Sequence, residues 1–160
     1  MRPLIVEVLF PILFMVSGLL FWHIISTILH ESAHWIAARL CNVKILKTRL
    51  CIFSGLFTGY IGEVAIKPDS RMKTSNIYFM SFSGGIGSAL ILGGLLAILL
   101  WHLEFAIPVL ISNPFNYNNY TVMILFQLAL TAAYELLYGL YEGLFETKNY
   151  IKHLQRSTNQ

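Results

Sequence analysis

His30-Glu31-Ser32-Ala33-His34 puts two imidazoles and a carboxylate into one short stretch of the chain. At 3.6 residues per turn, histidines at i and i+4 stand only about 40° apart on one helix face. That spacing suits two nitrogens on one zinc ion, with the glutamate beside them as general base toward a metal-activated water. Three fixed positions in five also arise by chance, on solvated helices of soluble proteins. The flanks decide against chance here. Ile24-Ile25-Ser26-Thr27-Ile28-Leu29 precedes the motif and Trp35-Ile36-Ala37-Ala38 follows it. A charged side chain at the centre of a membrane helix costs roughly 2.5–3.5 kcal/mol, so an ionisable cluster in such surroundings defaults to a functional reading. The expectation is a Zn2+ hydrolase centre within the membrane, with His30 and His34 as ligands and Glu31 as base.

The elements that must position these groups follow from composition. The chain has 160 residues, of which 56% are hydrophobic and 12% charged, and its net charge is +3. Mean hydropathy is +0.65. These values describe a single integral membrane domain over residues 1–160, without internal repeats or a flexible linker. Three apolar segments, about 11–40, 77–103 and 120–145, are each long enough to cross a bilayer core of about 30 Å. The fold expected is therefore an all-α membrane protein of about three transmembrane helices, with a small strand-containing cytoplasmic loop after the first. The first apolar run begins at Leu4, and a helix over 4–40 would be about 55 Å long, too long for one upright span. Residues 3–14 are expected to form a tilted or interfacial extension broken near Pro11.

Arg39, Lys44, Lys47, Arg49, Lys67, Arg71 and Lys73 cluster around the first loop, and Lys148, Lys152 and Arg156 follow the third span. The segment 104–119 has no cationic residue. The positive-inside rule then places the N-terminus outside, and the first loop and C-terminus in the cytoplasm. The basic residues read as topology signals and not as a nucleic-acid patch. Cys41 and Cys51 lack CxxC spacing and are expected to be reduced structural thiols. Asn119-Tyr120-Thr121 matches a glycosylation sequon, but it abuts the third span.

A catalytic zinc ordinarily takes three protein ligands and a water, so one more ligand must come from another helix at the depth of His30. His30 is about 15 Å from the end of its helix at Leu40, at a rise of 1.5 Å per residue. His23 shares the face of His30 but lies about 10 Å along it, too far to share an ion. His102 is at the opposite end of the second span, and His153 is in the C-terminal tail. Glu135, Glu142 and Glu146 are seven and four residues apart on one face of the third span. If that span ends near Glu146–Lys148, Glu135 is about 16 Å inside and Glu142 only about 6 Å. Depth favours Glu135, with Glu142 as the alternate. The bland reading of Glu135 is a carboxylate hydrogen-bonded to Tyr134 or Tyr138 or to a neighbouring helix.

The chain resembles the site-2 protease family of intramembrane zinc metalloproteases, over about residues 16–146 in order and topology. The resemblance is carried by His30-Glu31-Ser32-Ala33-His34-Trp35-Ile36-Ala37-Ala38-Arg39-Leu40-Cys41-Asn42-Val43-Lys44, a metal motif followed by small residues, a basic residue and a turn into a strand. Ser83-Gly84-Gly85-Ile86-Gly87-Ser88 occupies the place of the family's Gly-Pro-x-x-Asn segment, with Gly85 for the proline and Ser88 for the asparagine. Where the family has an Asn-x-x-Pro element and then Asp-Gly, this chain has neither; Glu142-Gly143 is the nearest dipeptide. The resemblance implies a membrane-associated sheet beside the active site, for which 43–53 and 56–66 are strand-like, with Gly55, Gly59 and Gly62 at turns. An extended substrate segment could pair with such a strand, and the plain alternative is a cytoplasmic hairpin.

The activity this implies is zinc endopeptidase cleavage of a membrane protein with a transmembrane segment, inside the lipid bilayer, with any gating left to a regulatory membrane partner. No nucleic acid is expected. The alternative is a catalytically inactive metal-binding or client-escorting protein of the same fold, motivated by the absent aspartate and Asn-x-x-Pro. A metal transporter is disfavoured, because 4–29 offers few polar groups to line a path.

Overall fold

The computed structural model describes residues 4–50, 62–66, 72–102 and 120–158. Helix α1 runs Leu4–Leu40, strands β1 and β2 span Ile45–Leu50 and Gly62–Ile66, and helix α2 covers Thr74–His102. Helix α3, Tyr120–Tyr141, passes through a single π-helical turn at Glu142–Glu146 into helix α4, Thr147–Thr158. The chain is mostly helical, and three stretches are long and apolar enough to cross a membrane: Leu9–Leu40, Thr74–His102 and Tyr120–Lys152. Large apolar side chains cover their outer faces, among them Phe10, Val16, Leu90, Ile98, Leu137 and Phe145. A contiguous apolar exterior of this kind suits hydrocarbon and not water.

The first helix departs from expectation at Pro11, which lies inside an unbroken α1. Proline removes one backbone donor and crowds one carbonyl, a local cost that apolar membrane-type helices tolerate more readily than soluble ones. The helix stops instead at a Schellman turn. Asn42 adopts a left-handed conformation, φ 55°. Its N–H reaches the Arg39 carbonyl at 3.0 Å, and the Val43 N–H reaches that of Ala38 at 2.9 Å. Val43 then packs on Ala37 and Ala38, the apolar contact that usually accompanies this turn.

That turn aims the chain into β1, which pairs antiparallel with β2, Thr48 opposite Val64 and Arg49 opposite Glu63. A bulge falls between Ile45 and Lys47. Ile45 and Ile66 join Cys41, Val43 and Met72 around Ala37, Ala38 and Met80, which anchors the sheet to the end of α1 that follows the histidine motif. Cys41 is a free thiol. β1 begins at Ile45, two residues later than the sequence suggests, and the expectations for 51–61, including Cys51, lie outside the described residues, as do Lys67, Arg71 and 104–119.

Two contacts set how the helices meet. Gly85 of α2 and Gly139 of α3 cross backbone to backbone: a Cβ on Gly85 would fall on the Gly139 Cα and on the Glu135 carbonyl. Only small residues allow so close a crossing. Near the other end, the fully buried Gln127 of α3 lies against Gly18 and reaches the Phe14 and Met15 carbonyls of α1 at 3.4 Å. Alongside, Leu92, Met123, Leu125 and Leu128 make the apolar core.

Candidate metal centre

The i, i+4 spacing brings the two imidazoles together as expected, with ring centroids 4.7 Å apart and Nε2 atoms 3.0 Å apart. Each ring is held by its other nitrogen. His34 Nδ1 is 2.7 Å from the Met80 carbonyl of α2, and His30 Nδ1 is 2.9 Å from Glu135 Oε2 of α3. A carbonyl oxygen only accepts, so His34 Nδ1 carries a hydrogen. Glu135 Oε2 already accepts from Ser88 Oγ at 2.7 Å, so His30 Nδ1 donates there as well. Neutral rings in these tautomers turn both Nε2 lone pairs toward each other.

Glu142 completes the arrangement. Its Oε2 lies 3.1 Å from His30 Nε2 and 3.6 Å from His34 Nε2, yet it is buried and makes no hydrogen bond. With both rings neutral in these tautomers, three acceptor atoms converge with no donor between them, an arrangement that a bound cation or a proton shared on an Nε2 relieves. Ligands at 2.0–2.1 Å in a tetrahedral zinc site are about 3.3 Å from one another. The three observed separations, 3.0, 3.1 and 3.6 Å, bracket that value. His30, His34 and Glu142 can therefore hold a metal ion. Gly84 forms the floor: a Cβ there would fall on the Nε2 atoms of both histidines.

Glu31 sits beside this group, 7% exposed, and its Oε2 is buried without a hydrogen-bond partner. Both glutamates face a cavity of about 490 Å³ that Thr27, Ser81, Tyr138 and Tyr150 also line. Val64 and Ile66 of β2 form part of its wall, so the small sheet borders the site.

The preference for Glu135 as third ligand is corrected by this geometry. Its carboxylate meets the far nitrogen of His30, on the side away from His34. The physical reason is the length of the third helical run. Instead of ending near 146, it continues through the π turn into α4, and its apolar stretch reaches Lys152. His30 is ten residues before Leu40 and Glu142 ten before Lys152, about 15 Å in each case. Counted from Lys152 instead of Glu146–Lys148, depth matching selects Glu142. Seven residues of helix span about 10.5 Å, enough for Glu135 and Glu142 to bracket one imidazole between them.

His23 is not in the group; its carbonyl oxygen takes the Ser26 and Thr27 hydroxyls at 3.0 and 2.8 Å. Sequence reasoning missed the Met80 carbonyl, which no side-chain pattern reveals. It also missed the pairing of Ser88 with Glu135, for which the only signal was Ser88 standing where the segment it resembles carries asparagine. Comparison of the chain with protein-family models, curated proteins and solved structures finds no match in any of the three.

Proposed function

We propose that this chain is an intramembrane zinc endopeptidase of the site-2 protease type, acting on a membrane protein with a transmembrane segment. The observation that carries the reading is the convergence of His30 Nε2, His34 Nε2 and Glu142 Oε2 beside Glu31, whose buried Oε2 has no hydrogen-bond partner, inside apolar helices. His30, His34 and Glu142 hold the ion. Bound zinc supplies Lewis acidity toward a carbonyl and acidifies a water. Glu31 takes a proton from the attacking water and delivers it to the leaving amine nitrogen, so a C–O bond forms as the C–N bond breaks. The substrate must be locally extended to expose that carbonyl, and β2, with Val64 and Ile66 on the cavity wall, borders the space it would occupy.

Every lysine and arginine except Arg2 falls near the first loop or in the last turns of the third helical run and beyond it, which supports an N-terminus outside and a C-terminus in the cytoplasm. The test of the assigned chemistry is Glu31→Gln. Cleavage of a one-span substrate in a single turnover should be lost, while zinc content and membrane insertion stay at the parent level. Undiminished cleavage would remove Glu31 from the mechanism. A wild-type protein that binds zinc but cleaves no one-span substrate would leave the metal-binding escort reading.

A further inference from the structure

We propose that Glu135, anchored by Ser88, is a positioning residue that sets the tautomer and basicity of His30 and thereby the affinity of the centre for zinc. The inference rests on the metal reading above and adds to it a role for a carboxylate that is not a ligand. Glu135 is 2% exposed, and among the described residues His30 is the only basic group within ion-pair range of it. An ionisable side chain so buried in an apolar bundle needs a partner. Its partners include the His30 Nδ1–H at 2.9 Å and the Ser88 hydroxyl at 2.7 Å, both on Oε2, with the Ser26 hydroxyl also beside the carboxylate.

Ser88 has a weaker alternative, the Gly85 carbonyl at 3.1 Å, and the shorter contact is to the carboxylate. The Gly85–Gly139 crossing makes the arrangement possible, because it brings α2 close enough for a serine hydroxyl to reach a glutamate one turn before Gly139. The two histidines are then held unequally. His34 donates to the neutral Met80 carbonyl, and His30 donates to a carboxylate. A charge-assisted bond is roughly twice as strong as a neutral one and makes Nε2 a better donor to a metal. Outer partners of this kind typically carry 10–100-fold in metal affinity.

The experiment measures zinc affinity of the full chain in lipid nanodiscs by competition with a chromophoric chelator. Stoichiometry and the visible spectrum of the Co2+-substituted protein are recorded alongside. Glu135→Gln keeps the volume and an acceptor oxygen but removes the charge. It should bind zinc about 10–100-fold more weakly, while still reaching one metal per chain at saturation with a Co2+ spectrum of the same coordination number. Ser88→Ala should weaken binding less, and the double variant should be no weaker than Glu135→Gln alone, because the serine acts through the glutamate. Glu135→Gln with wild-type affinity overturns the positioning role, as does a variant that loses the metal site altogether, which would make Glu135 a ligand. Should Glu135→Gln fail to fold, Ser88→Ala decides, and unchanged affinity there overturns the proposal. Failure of the wild-type chain to bind zinc overturns the metal reading itself, a result distinct from all of these.

Discussion

Gly84→Ala places a single methyl group where it does the most harm and the least else. The added Cβ would stand 2.6 Å from His30 Nε2, and closer still to His34 Nε2. Ordinary carbon–nitrogen contact begins near 3.5 Å, so each ring must retreat by about 1 Å or α2 must move away. Zinc distances tolerate only about ±0.2 Å, and a retreat of 1 Å on two ligands at once removes both from coordination. Zinc affinity should fall by at least ~100-fold, beyond the usual loss from an outer partner. Overpacking should cost about 1–3 kcal/mol in the metal-free protein. The assay is chelator competition on the detergent-solubilised chain, paired with thermal unfolding in the absence of metal. Gly94→Ala serves as the control, because a Cβ there meets nothing within 4 Å. It should leave metal binding unchanged and stability equal or higher. If Gly84→Ala binds zinc as the parent does, the Nε2 atoms are not the metal-facing atoms, and the assignment of the centre fails.

Two further outcomes follow from the same geometry. Glu142→Ala should abolish zinc binding at micromolar metal, and Glu142→Asp should not rescue it, because losing one methylene draws the carboxylate back by about 1.5 Å from contacts now at 3.1 and 3.6 Å; metal analysis showing full occupancy in the aspartate variant would mean that the helix can slide to compensate. For topology, cysteines introduced at Asn116 and Ser157 should label from opposite faces of the membrane with an impermeant thiol reagent, and labelling of both from the cytoplasmic face would refute the three-span arrangement.

What was legible in the sequence is what depends on local spacing. The i, i+4 histidines meet because helix geometry sets them on one face, and the three long helices follow from runs of apolar residues long enough to cross a membrane. The short sheet after α1 was signalled by two strand-like stretches with glycines at turns, and by the family resemblance. Its actual start is set by Asn42, whose left-handed turn closes the Schellman hydrogen bonds. The third ligand was harder, because it depends on a relation between two helices that no local pattern encodes. Charged residues at Glu146 and Lys148 suggested the end of the third span. The chain instead carries helix past them by way of a π turn, with the Thr147 N–H and hydroxyl both on the Glu142 carbonyl, the latter at 3.2 Å. Gly143 permits this turn to lie against α2, since a Cβ there would fall on the Phe82 ring. A π turn at the candidate ligand is the kind of irregularity that recurs at functional sites. Here it begins at Glu142, whose carboxylate faces both histidines. The two glutamates seven residues apart were visible from the outset, and the error was to treat them as rivals. A ring with two nitrogens needs two partners, and with His30 between them one carboxylate takes each side, so the spacing that seemed to pose a choice is the spacing the site requires.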